Sequence, residues 1–412
     1  MQPQPLIPIS ISGLTATQLI QLETCVKCGA CAHACPVYNE DKHSFAIPAL
    51  KLSELRDIVN RANSILSILF PRRMLVARGK LEKIAKEAYG RCTLCGRCWV
   101  GCVFNIDNRE LREVLRSTLY RANLLPEPLM KFASALREAR NPLGLEAKRR
   151  LNWVNKLKEV KVGEEASTVY FVGCQSSLTE DGEGIATATA TLLSLSREDW
   201  AILGEQEWCC GNPWIAIGDF EQARRHALHN TLAIEALRAK RVITSCACCY
   251  QLLKWKYPQL IGRQPRFEVL HTSEYLSQRT SIIPHGNPVP LYKRLDVRAT
   301  YHDPCLLARL GGVVEEPRRI IRGLVKEFIE MPENRIDTYC CGGGGLLKEL
   351  ERDLSVKIGI RRIKHAESVK AELLLTACPF CKANLAEAAA KAGSSIRVLD
   401  LAELVARQAG LT

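Results

Sequence analysis

The chain has 412 residues, 47% of them apolar and nineteen of them cysteine, with a formal charge of +13. Nineteen cysteines exceed ordinary packing needs yet are too sparse for a small disulfide scaffold, and the length suits two or three domains. The charge does not argue for nucleic acid. Bound metal deprotonates its thiolates, so cysteines that hold metal would lower that sum. The short basic clusters at 147–150, 317–322 and 361–364 suit solvated surface, or a docking face for an acidic partner or a membrane surface.

The first residues, MQPQPLIPISISGLTATQLIQ, lack the basic start and continuous apolar run of a secretory signal. The most apolar run, SILSILF at 64–70, is stopped by Pro71, Arg72 and Arg73. A cytoplasmic protein is therefore expected, in a compartment where clustered cysteines hold metal. Residues 25–36 read CVKCGACAHACP and residues 92–102 read CTLCGRCWVGC. Both carry C-x2-C-x2-C-x3-C, the bacterial ferredoxin spacing, in which three cysteines wrap one [4Fe–4S] cubane and the fourth reaches the other. That rule assigns Cys25, Cys28, Cys31 and Cys102 to one cluster, and Cys92, Cys95, Cys98 and Cys35 to the second. Gly29 and Gly96 suit a tight loop whose amides face the cluster sulfurs. Zinc sites show two C-x2-C pairs rather than this rhythm. Pro36 follows the first motif, but Val103 stands where the second would have its proline. Helical patterns are predicted over 52–69 (from Ser53), 80–89 (ended by Gly90) and 109–122 (capped from 105–108). Residues 1–122 thus read as a helical ferredoxin-like module with two clusters.

Residues 123–166 are proline-interrupted and charge-rich, and read as a helical connector. An alternation of short apolar strands and helices follows. STVYFVGC ends at Cys174, a helix pattern covers 184–197, and strand WAIL precedes the adjacent Cys209 and Cys210. A long amphipathic stretch at 218–240 then leads to RVITSC, Cys246 and Cys249. The same order returns with RATYHDPC, TYCCGGGG and AELLLTACPFC. Cys174/Cys305, Cys209/Cys340 and Cys210/Cys341 are 131 residues apart, and Cys246/Cys378 and Cys249/Cys381 are 132 apart. This is an internal duplication of an α/β unit with cysteines at strand ends. Adjacent cysteines can hardly bridge each other. Five thiolates per copy, one more than a cubane needs, suit an enlarged, opened cluster with the pair on a glycine turn at Gly211 or Gly342.

The pattern C, CCG, CxxC, present twice, resembles the CCG domains of the heterodisulfide reductase family, over roughly residues 13–405. A ferredoxin module ahead of two CCG domains is similar to the fused, D-type subunits of that family. The resemblance implies an α+β multidomain protein: module 1–122, connector 123–166, and α/β CCG domains at 167–290 and 291–412. It implies a noncubane [4Fe–4S] cluster on Cys174, Cys209, Cys210, Cys246 and Cys249, and another on Cys305, Cys340, Cys341, Cys378 and Cys381. The implied activity is reduction of a disulfide, or oxidation of thiols, with each open cluster binding one sulfur. Electrons would come from a membrane cytochrome b or another donor protein, making the chain peripheral on the cytoplasmic membrane face. A small thiol or disulfide, or protein-bound sulfur, would be the substrate, with no nucleic acid involved.

His302 and Asp303, in YHDPC, are candidates for proton delivery or for orienting the ligand strand. His271, His226 and His229 read as structural. The glycines 342–345 are suited to close backbone approach but lack the GK[ST] of a phosphate loop. Cys248, inside CACC, has the counterpart Phe380 and reads as a small buried hydrophobe, with ligand substitution or redox trapping as alternatives. A competing reading is a non-catalytic electron-transfer subunit of a flavin enzyme, of the glycolate oxidase or glycerol-3-phosphate dehydrogenase type. The missing second CP and the two complete CCG sets argue against it. A zinc-stabilised interaction protein would need the ferredoxin spacings to be coincidence. No GxGxxG segment offers a flavin or nicotinamide site, so electrons are expected from a partner.

Overall fold

The computed structural model describes residues 6–9, 14–43, 46–62, 74–278 and 294–410. SILSILF with Pro71, Arg72 and Arg73, residues 63–69 of the 52–69 pattern, and the 290/291 boundary lie outside the described residues.

The chain divides into two compact units. The first comprises Met1–Ala133, Pro213–Phe220 and Gly342–Ile358. Among its described residues it is helical apart from one antiparallel pair, β1 (Leu6–Ile9) with β2 (Met74–Ala77). Helix Ala16–Thr24 opens on a capping box between Thr15 and Gln18, so two orphan amides are satisfied at once. Helix Asn108–Arg121 is capped by Asp107 and packs on helices Pro48–Ala62 and Arg78–Gly90. Leu52, Leu55, Leu81, Leu111, Leu115 and Leu119 are buried there at helical spacing.

The second unit comprises Ser134–Asn212, Glu221–Cys341 and Gly359–Thr412. It holds two all-parallel sheets. The first contains β3 (Lys161–Val162), β4 (Thr168–Tyr170), β5 (Trp200–Ile202), β6 (Arg241–Thr244) and β7 (Glu268–His271), in the order β3-β5-β4-β6-β7. The second contains β8 (Leu295–His302), β9 (Val325–Phe328), β10 (Leu373–Thr376) and β11 (Arg397–Asp400), in the order β9-β8-β10-β11. The duplicated sequence therefore folds with one strand order: second, first, third, fourth. Parallel neighbours require crossover connections, and helices such as Glu180–Leu195 and Phe220–Ala236 supply them. The copies meet where helix Glu180–Leu195 packs on Leu401–Gln408, and where Ala247–Gln251 packs on Cys305–Ala308.

The connector 123–166 departs from an all-helical reading. After helix Glu127–Ala139 and the 3-10 run Ala147–Lys156 it ends in β3, an edge strand of the first sheet. The strands also stop earlier than their apolar runs. β4 and β6 end at Tyr170 and Thr244, while Cys174 opens helix Cys174–Leu178 and Cys246 caps helix Ala247–Gln251.

Candidate metal centres

In the helical unit, the two ferredoxin-type loops repeat one backbone pattern. Lys27 (φ 56°) precedes Cys28 and Gly29 (φ 83°), and Leu94 (φ 54°) precedes Cys95 and Gly96 (φ 75°). Two left-handed residues in three turn amides inward, a concavity that suits an anion. The Leu94 amide donates to Cys92 Sγ at 3.4 Å. A Cβ on Gly101 would stand 2.6 Å from that of Ala34, so the short helices Ala30–Ala34 and Arg97–Val100 touch just before the fourth cysteine of each motif. Cys35, Cys92, Cys95 and Cys98 line one cavity together with Lys51, Arg109 and Arg112. Cys31 is pushed up to about 11 by burial, with the charges of Cys25 and Cys102 adding to it. The four cysteines of that first set run from buried Cys31 to exposed Cys28.

The cations beside the cavity test whether a cluster fits. Burial brings Lys51 down to about 8 and Arg112 down to about 10. The opposing charges that pull them back up are Cys92, Cys35 and Cys98. A buried cation without a partner is strongly destabilising, and a dianionic cubane on these thiolates is such a partner. The donor set, cavity and charge fit a [4Fe–4S] group.

In the second unit the order reverses at β4/β6 and at β8/β10, which is where α/β sheets open a crevice at strand carboxyl ends. The cysteines gather there. Arg150, from the connector, donates to Cys174 Sγ at 3.2 Å and to Glu207 at 3.0 Å, all three buried. Glu207 accepts from the amides of Val172 and Gly173, each at 2.9 Å. Sequence reasoning missed Arg150 and Glu207, because neither belongs to a motif. The carbonyls of the paired cysteines are held from outside. Cys209 O accepts from His226 Nδ1 at 2.9 Å and Asn230 at 3.3 Å, and Cys210 O accepts from Tyr257 at 2.9 Å. Burial brings His226 down to about 4, hence neutral, and His229 stacks on Trp208 at 3.8 Å. In the second copy Asn384 donates to Cys341 O at 2.6 Å. Gly211 (φ 95°) and Gly342 (φ 96°) take the left-handed turn after each pair.

The thiols of the two copies form one continuous series. Cys174 contacts Cys209, Cys210 contacts Cys209 and Cys249, and Cys249 contacts Cys246. Cys246 contacts Cys378, which contacts Cys381, and Cys381 lies 3.4 Å from Cys341, which contacts Cys340. The crossing from first to second copy is at Cys246, Cys248 and Cys378, whose sulfurs all lie within 4.8 Å of one another. Cys305, half-buried, opens the helix that faces Ala247–Gln251.

His302 and Asp303 part company. Both Asp303 oxygens take Arg318, at 2.7 and 2.8 Å, and one also accepts the Arg335 amide, in a pair that is fully buried. His302 Nδ1 accepts from Arg362 Nε at 3.2 Å, so its proton sits on Nε2. The ring lies within 4.8 Å of the Cys341 and Cys381 sulfurs. Contacts with Cys340 and Cys381, and then with His302, hold the Cys341 thiol well below the usual range. His271 is buried against Ser273 at 2.8 Å and is pushed down to about 4 by burial.

Comparison with known proteins agrees with this arrangement. The 4Fe-4S dicluster domain family matches residues 21–106, and the cysteine-rich CCG domain family matches 168–254 and 299–386. The D-type subunit of dihydromethanophenazine:CoB–CoM heterodisulfide reductase from Methanosarcina barkeri is 34% identical over 98% of both chains. The B-type subunit of a fumarate reductase (CoM/CoB) from Methanothermobacter marburgensis is 27% identical over 93% of this chain and 72% of its own. EtfAB:quinone oxidoreductase of Syntrophomonas wolfei is 26% identical over 94% of this chain and 58% of its own. A hypothetical protein from Helicobacter pylori shares the fold, with a TM-score of 0.56 over 97% of this chain and 75% of its own, at 10% identity.

Proposed function

The chain belongs to the family of D-type heterodisulfide reductase subunits, and from that premise we propose that it reduces a disulfide to two thiols at its paired CCG sites. It is an iron–sulfur oxidoreductase subunit with a dicluster module and two CCG domains. The balance of the reaction is one disulfide, two electrons and two protons in, and two thiols out. When bound, clusters on the two five-cysteine sets supply single electrons and open iron positions for sulfur, and cubanes on the ferredoxin-type sets feed them. The substrate is a small disulfide or protein-bound sulfur, and the donor is a partner such as a membrane cytochrome b. No helix among the described residues is long and apolar enough to cross a membrane.

The supporting observation is the junction of the two sets at Cys246 and Cys378. A disulfide has two sulfurs, and a site assembled from two copies of one domain presents a ligand set to each. Arg150 and Glu207 fix Cys174 on one side. His302 holds a proton at Nε2 beside Cys341 and Cys381 on the other, within reach of a departing thiolate. Asp303, locked by Arg318, positions the loop that carries His302 and Cys305.

Anaerobic iron analysis and EPR of the oxidised, iron-loaded chain test this reading. About sixteen irons per chain and a new signal on adding thiol are expected. About eight irons and no thiol response would replace it with a non-catalytic electron-transfer subunit.

A further inference from the structure

Helix Phe220–Ala236 buries Ala223, Ala227, Asn230 and Ile234 on one face. Gln222, Arg225 and His229, spaced i, i+3 and i+7, share another face and line a cavity of about 360 Å³. Arg137, Arg140 and Trp208 line it as well. Arg140 lies over the Trp208 ring at 4.8 Å, and His229 stacks on that ring at 3.8 Å. A cavity of this size suits a small molecule. Three guanidinium groups line it, and among the described residues no carboxylate does, so like charges repel one another there until an anion enters. No cysteine lines it either, so the cavity is built to bind and not to carry out thiol chemistry. It nevertheless adjoins that chemistry, because Trp208 precedes Cys209, whose amide donates to Arg140 O at 2.8 Å.

The duplication supplies an internal comparison. Tyr339 stands 131 residues after Trp208, as the cysteines of the second pair stand after those of the first. Tyr339 is buried, with Arg361 over its ring at 5.7 Å and His365 edge-on at 5.5 Å. In this copy the chain brings its own anion, Glu333, whose Oε2 lies 3.7 Å from His365 Nδ1. Glu333 comes from the stretch between β9 and the second pair, residues 329–339, which is longer than its counterpart 203–208 after β5. The shorter stretch offers no such group, since Glu207 is turned to Arg150 and Glu205 does not line the cavity. We propose that the first-copy cavity is a binding site for a small organic anion with two or more carboxylate or phosphate groups, held by Arg137, Arg140 and Arg225. The planar guanidinium fork matches either group through two parallel hydrogen bonds. Trp208 and the exposed Leu228 and Leu232 offer apolar surface to the ligand's carbon frame. This site goes beyond the disulfide reductase reading and does not depend on it.

The experiment is titration calorimetry on the full, iron-loaded chain, with inorganic pyrophosphate and citrate as separate probes. Salt is held at about 0.15 M so that general surface attraction is screened. At least one probe should saturate at one equivalent with Kd below about 1 mM, and which one does so tells a phosphate site from a carboxylate site. Arg140→Gln and Arg225→Gln, compared with the parent at matched iron content, should each weaken that binding about tenfold. Arg224→Gln removes an exposed charge from the same helix outside the cavity, and should change Kd by less than about twofold. No saturable binding of either probe overturns the proposal. An equal loss in Arg224→Gln overturns it too, and reduces the cavity to general surface charge. A polyglutamate peptide that binds where neither probe does also overturns it, and makes this face a docking surface for an acidic protein.

Discussion

At the scale of single residues, the cysteines are legible in the sequence and the cations that serve them are not. Motif spacing names ligands because a cluster fixes the distances between them. Lys51, Arg112 and Arg150 act on thiols 14 to 77 residues away in the chain, and nothing local marks them. Their effect is testable. A cation held near a cubane by burial favours the more negative, reduced cluster. Removing one at an effective dielectric of about 20 costs that state about 1–2 kcal/mol, roughly 40–90 mV for one electron. Lys51→Met should therefore lower the midpoint potential of one cubane by that amount in a redox titration, and Lys51→Arg should restore most of it. The two candidates for proton delivery separate in the same way. Asp303 faces Arg318 with both oxygens and no exposure, so Asp303→Asn should cost about 3–5 kcal/mol of stability in chemical denaturation. Turnover per iron-loaded molecule should fall less than in His302→Gln, because Asp303 positions the loop but passes on no proton. His302→Gln should reverse that pattern, with stability nearly kept and turnover falling at least tenfold.

At the scale of elements, the repeat predicted two α/β units, and the strand order is the same in both sheets. The elements that escaped sequence reading are edge strands. β3 is exposed along its length, and β9, reading VKEF, has two exposed residues. An edge strand packs against a single neighbour and needs little apolar character, so hydrophobic periodicity does not reveal it. The glycine run after the second pair shows a different limit. Its sequence suits close approach without saying to what. The structure supplies the answer in the helical unit, where a Cβ on Gly345 (φ 64°) would stand 2.5 Å from the Thr93 carbonyl carbon and 2.6 Å from Cys92 O. The run admits the backbone of the second ferredoxin-type loop. Gly345→Val adds left-handed strain of about 1–2 kcal/mol to that clash. It should displace Cys92 and remove about four of the irons that the parent chain binds. Equal iron in variant and parent would show that the loop yields.

At the scale of the whole molecule, chain order and compact units do not coincide. The residues that follow each cysteine pair, Pro213–Phe220 and Gly342–Ile358, belong to the helical unit although both sequence neighbours of each segment belong to the other. Arg116 explains why. It is fully buried, and its guanidinium donates to Ala216 O at 2.8 Å, Gly345 O at 2.9 Å, Cys92 O at 3.0 Å and Ala88 O at 3.1 Å. Tyr89 ties the same place, donating to Ile217 O at 2.6 Å. One side chain from Asn108–Arg121 thus satisfies carbonyls from three separate stretches of sequence, and removing it would leave all of them buried without donors. Segments joined in this way open together, because the loss of any one exposes unpaired polar groups on the rest. Hydrogen exchange read by mass spectrometry should show it. Peptides from 213–220 and 342–358 should exchange at the rate of 78–121, and not at the rates of 200–212 and 359–376 on either side of them. Arg116→Leu should speed all three stretches by at least tenfold while leaving β6 and β10 protected. If 213–220 and 342–358 instead keep the rates of their chain neighbours, they move with the sheets and Arg116 is not what binds them.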